Sequence, residues 1–181
     1  KGQGGIVAVL GSTVEQIEKI LIDNDQNFNA QIANDNSEGQ IVLSGKIEDL
    51  EKLIAVLKEK SIKNIMLPVS APFHCNLMNK ATNIMRDELN KLNFKNGKNK
   101  LISNVTAKEI SDTDELKDLL IKQIENRVRW RESVINMINK DVNHFIEIGP
   151  GKVLSGLVKR IKRDMKINTI NNQGDIESLE I

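Results

Sequence analysis

Residues 5–69 carry hydrophobic patterns in an order that few small folds can satisfy. Residues 5–10 (Gly-Ile-Val-Ala-Val-Leu) are a short apolar, β-branched run that suits a buried strand. Val14, Ile17, Ile20 and Leu21 then recur at helical spacing, behind Ser12 or Thr13 as a cap. Residues 28–33 alternate and predict a strand, and residues 34–39 (Asn-Asp-Asn-Ser-Glu-Gly) are dense in turn formers. Residues 40–44 complete a hairpin. Ile47, Leu50, Leu53, Ile54 and Leu57 mark a second amphipathic helix, and residues 62–69 return to a strand. The order strand, helix, strand, strand, helix, strand is the split βαβ, or ferredoxin-like, pattern. Each helix has one apolar stripe to lay on one face of the sheet.

The second half reads differently. It predicts helices over 76–92, 113–124, 130–139 and 152–163, and short strands over 101–105, 142–148 and 167–170. Leu77, Ala81, Ile84, Met85 and Leu89 fall on one side of the first of these helices. Strands alternating with helices predict a parallel α/β sheet. Three short strands are few for such a core, so this half reads as part of a larger sheet.

Bulk properties narrow the chemistry. A net charge of +1 in 181 residues gives no electrostatic case for a nucleic-acid or membrane partner. Aromatic residues are 3%, too few for base-stacking platforms. The single cysteine excludes an internal disulfide framework and suits a reducing, cytoplasmic compartment. No apolar run reaches transmembrane length. The chain opens in a strand without an initiator Met, as a chain that starts mid-protein would.

The stretch 68–78 (Pro-Val-Ser-Ala-Pro-Phe-His-Cys-Asn-Leu-Met) holds two of the three prolines, one of the two histidines and the cysteine. The prolines stiffen the backbone and exclude helix. His74 is therefore either a structural histidine in a turn or a proton-transfer group held on a rigid loop. A catalytic base needs a nucleophile, yet no serine lies in the Gly-x-Ser-x-Gly elbow of α/β folds. Ser70, four residues before His74, lacks that setting and reads as a local backbone ligand. Cys75 reads as buried and inert, and the histidines and cysteine make no metal site. Gly149-Pro150-Gly151-Lys152 joins a strand to a helix without phosphate-loop spacing and reads as a tight turn. Arg127, Arg129 and Arg131 around Trp130 could meet an acidic partner or form a solvated face.

Three segments together resemble one family. Residues 39–45 (Gly-Gln-Ile-Val-Leu-Ser-Gly), 68–75 (Pro-Val-Ser-Ala-Pro-Phe-His-Cys) and 145–154 (Phe-Ile-Glu-Ile-Gly-Pro-Gly-Lys-Val-Leu) are similar to the malonyl-CoA:acyl carrier protein transacylases of type II fatty acid synthesis, in the same order and separation. The resemblance implies a ferredoxin-like small subdomain (residues 1–68) and the C-terminal part of an α/β-hydrolase-like large subdomain (residues 69–181). It implies that a serine takes the malonyl group from coenzyme A and passes it to the phosphopantetheine thiol of acyl carrier protein, with no cofactor. His74 becomes the general base, oriented by a main-chain carbonyl where a triad would use Asp. Gln123, ahead of Val128-Arg129-Trp130, matches an active-site glutamine, although Arg127 stands where the family often has Pro. Asn36 matches a position near the cleft. The family's elbow serine, its oxyanion-hole glutamine and its carboxylate-binding arginine would all lie before residue 1. The missing N-terminal segment then becomes a partner, and this chain alone is expected to be inactive. The alternative is a non-catalytic remnant or a carrier-protein-binding module.

Overall fold

The computed structural model describes residues 2–69 and 71–179. The elements are β1 (Gly4–Leu10), α1 (Val14–Asp23), β2 (Ala30–Ser37), β3 (Gln40–Lys46), α2 (Ile47–Glu59) and β4 (Lys63–Met66). They continue with a 3-10 turn (Asn76–Met78), α3 (Asn79–Asn90), α4 (Thr113–Lys122), α5 (Trp130–Ile138), β5 (His144–Ile148), α6 (Val153–Ile161), β6 (Lys166–Ile170) and α7 (Gln173–Glu177). By its contacts the chain divides into two compact units, Lys1–Ser133 and Val134–Ile181.

In the first unit β1 to β4 form an antiparallel sheet of order β2-β3-β1-β4. One face, with Val7, Val9, Ile41 and Leu43, packs against Ile17 of α1 and Leu50, Leu53 and Leu57 of α2. The helical spacing read from the sequence is what places these leucines on one stripe. Thr13 caps α1 in a capping box: its hydroxyl accepts from the Gln16 amide at 3.3 Å, and its own amide donates to Gln16 Oε1 at 3.0 Å. The opposite sheet face carries Ile6, Ala33 and Val42, with Leu67 packed on them.

Three expectations needed correction. The strand expected over 28–33 runs instead from Ala30 to Ser37, so the hairpin turn shrinks to Glu38 and Gly39. Asn34, Asp35 and Ser37 are turn formers by composition, but tertiary pairing overrides that preference. The Asp35 amide donates to the Val128 carbonyl and the Val128 amide to Ala33, and two register shifts let β2 bend to meet them. The strand expected over 101–105 is only a bridge between Ile102 and Glu109. Ser103 accepts the Val105 and Thr106 amides and turns the backbone there. The helix expected over 76–92 begins as a 3-10 turn, and its apolar side, with Leu77, Ile84 and Met85, is exposed.

In the second unit β5 and β6 pair in parallel, with α6 as the crossover. The short helix α7 was not anticipated. Its signal was present in Asn172 and Asp175, which form a capping box.

Candidate active site

The site begins with the backbone of the loop after β4. His74 has φ of 60°, a left-handed conformation that few non-glycine residues adopt. The segment around it is tied down on both sides. The Ser44 hydroxyl donates to the Phe73 carbonyl at 2.6 Å. The Cys75 thiol donates to the Pro72 carbonyl at 3.1 Å, and the Asn76 amide to Gln31 Oε1 at 2.7 Å. Burial pushes the Cys75 thiol above its usual range, which keeps it protonated and poorly nucleophilic at neutral pH. Ser70 lies outside the described residues.

The half-buried His74 ring places Nδ1 2.7 Å from the main-chain carbonyl of Gln123. A carbonyl only accepts, so Nδ1 carries the proton and Nε2 of the neutral ring keeps its lone pair. That is the tautomer a general base requires. Gln123 forms the C-cap of α4, and its side-chain oxygen faces the Asn104 amide at 3.4 Å. Asn36 is half-buried in β2, beside the pairing of Asp35 with Val128. The structure thus joins His74 to Gln123. No hydrogen bond links Asn36 to either among the described residues.

The arginines around Trp130 each have an internal partner. Arg127 reaches Glu18 at 3.0 Å, Arg129 reaches Glu132 at 2.6 Å, and Arg131 grips both oxygens of Asp35. Among the described residues no cluster of histidine, cysteine and carboxylates could hold a metal ion, and no helix is long and apolar enough to cross a membrane.

In the second unit, Gly149 and Gly151 have positive φ and make the turn into α6. The Glu147 carboxylate accepts the amides of Leu154 at 3.0 Å and Ser155 at 2.7 Å. A side chain of the chain itself therefore occupies the anion position at this helix N-terminus. Partial burial opposes ionisation of Glu147, but the hydrogen bonds from Ser155, Leu154 and Val153 outweigh it and hold the carboxyl below its usual range. A group depressed in the folded state stabilises above its unfolded value, and that stability is lost as pH falls through the folded value. Glu147→Ala is expected to cost about 0.5–1 kcal/mol near neutral pH, the size of a helix cap. Urea denaturation should show this gap closing as pH drops through the carboxylate range.

No family model matches the chain. Individual proteins do. The malonyl CoA-acyl carrier protein transacylase of Bacillus subtilis is 38% identical over 178 residues, which are 97% of this chain and 56% of that protein. This chain is similar to malonyl CoA-acyl carrier protein transacylases. The crystal structure of the transacylase from Clostridium perfringens superposes with a TM-score of 0.93 at 38% identity, covering 98% of this chain and 56% of that one. A malonyl-transacylase solved in complex with its type II polyketide acyl-carrier protein superposes with a TM-score of 0.91 at 30% identity, over 98% of this chain and 58% of that one. The chain thus spans a little over half the length of the transacylases it matches. The mixed α/β fold is that of these transacylase structures.

Proposed function

We propose that this chain is the C-terminal part of a malonyl-CoA:acyl carrier protein transacylase, with His74 as its general base. The observation that carries the reading is the bond from the His74 ring to the Gln123 main-chain carbonyl, with Nε2 unpartnered among the described residues. The resemblance implies a histidine oriented by a main-chain carbonyl, and this bond supports that reading. The fold reading is the ferredoxin-like small subdomain over residues 1–68, supported by the strand order β2-β3-β1-β4. Residues 69–181 are then part of an α/β-hydrolase-like large subdomain.

The chemistry runs through a serine outside this chain. Nε2 of His74 takes the proton of the serine hydroxyl as the oxygen attacks the malonyl thioester carbon. The carbon–sulfur bond breaks, and Nε2 returns the proton to the departing coenzyme A thiolate. The phosphopantetheine thiol of acyl carrier protein then gives its proton to Nε2 and attacks the malonyl-serine ester, and the serine oxygen recovers that proton. Gln123 and Asn36 are assigned to the substrate cleft. The malonyl dicarboxylate, coenzyme A and the carrier protein are substrates, and no resident cofactor takes part.

The test compares this chain alone with a protein that joins it to the nucleophile segment. After a pulse of malonyl-CoA, intact mass should show a malonyl adduct on the joined protein and none on this chain. A stable adduct on this chain alone would defeat the reading. A carrier-binding module would give no adduct in either.

A further inference from the structure

His74 owes its left-handed backbone to something other than its own preference, since φ of 60° is sparsely populated for histidine. The peptide plane that holds the Phe73 carbonyl also holds the His74 amide. The rotation of that plane about the His74 N–Cα bond is φ itself. Whatever fixes the Phe73 oxygen therefore fixes the conformer of His74. That oxygen is held by Ser44, a fully buried residue in the middle of β3, at 2.6 Å. Ser44 cannot drift, because β3 is paired on both sides there, to Ile6 of β1 and Gln31 of β2. Gln31, its cross-strand neighbour, accepts the Asn76 amide on the far side of His74. One cross-strand pair thus grips the chain before and after the histidine.

We propose that Ser44 is a positioning residue for His74, holding the Phe73–His74 peptide in the orientation that aims the ring at the Gln123 carbonyl. The proposal rests on the reading of His74 as the base. If Ser44 is removed, the Phe73 oxygen loses its buried donor and the peptide can rotate to a more populated φ. The ring then leaves Gln123, and Nε2 leaves the line of attack. A side chain that only filled space would be insensitive to whether its atoms can donate.

The test uses Ser44→Thr and Ser44→Val in the joined protein. The two side chains have nearly the same shape, and only threonine keeps the hydroxyl. The valine variant is expected to lose roughly tenfold or more in kcat, with KM for malonyl-CoA little changed, while the threonine variant stays near the parent. The His74 Nδ1–H signal in nitrogen-edited NMR should persist in the threonine variant and weaken in the valine one. Where branched side chains block folding, Ser44→Cys against Ser44→Ala makes the same comparison. Equal kcat and equal ring signals in both members of a pair would overturn the role of Ser44. A His74→Asn variant run beside them separates the two claims: if it keeps full activity, the base assignment fails, and the ring signal alone then decides the positioning.

Discussion

His74→Asn in the joined protein should lower malonyl transfer to acyl carrier protein by roughly 100- to 10,000-fold, the range that a positioned general base supplies. Asparagine is chosen because it tolerates positive φ better than most residues, so the loop keeps its path while the base is lost. The thermal midpoint should move little, since the ring is only half-buried and its polar edge is already partly solvated. Both half-reactions should slow, because in the proposed mechanism the same Nε2 serves the serine and the carrier thiol. A steady-state assay with each substrate varied in turn checks this. A loss confined to one half-reaction would mean that another group deprotonates the other nucleophile.

Arg131→Met should cost about 3 kcal/mol of folding stability, the low end for breaking a buried ion pair from one side. The reason is Asp35, which is 1% exposed and takes Arg131 on both carboxylate oxygens. Without the guanidinium its charge is buried and unpaired. The low end applies because the Arg131 side chain is 29% exposed, so water already screens part of the attraction. The side-chain bond to Asp35 also raises the basicity of Arg131 beyond its ordinary value. The double variant Asp35→Asn, Arg131→Met should recover part of the loss, since the stranded charge is gone. Urea denaturation of the single and double variants gives both numbers. Equal losses would mean that packing of the arginine stem, not charge, holds this joint.

These two sites differ in how much of them the sequence discloses. The strands and helices around Val7, Ile17, Leu43 and Leu53 could be read directly, because period two and period 3.6 are imposed by burying one face. The loop holding His74 could also be read, because Pro68 and Pro72 punctuate it. The resemblance implies a main-chain carbonyl as the partner of its ring, but which residue supplies it could not be read, because a main-chain carbonyl has no side-chain signature in the sequence. Ser44 was legible as part of a strand, but nothing local showed that its hydroxyl crosses to Phe73. The Asn-Asp-Asn-Ser run misled for the opposite reason. Its composition points to a turn, while the force that keeps it extended comes from Val128 and Arg131, far along the chain. The exposed apolar side of α3 shows the same lesson: helical spacing reports a face and not what covers it.

The central claim is that this chain supplies the base while a serine elsewhere supplies the nucleophile. Peptide mapping of the malonyl adduct formed by the joined protein tests it most directly. The adduct is expected on a serine of the added segment, and His74→Asn is expected to slow its formation. An adduct on any residue of this chain, or one formed at the same rate without His74, would contradict it.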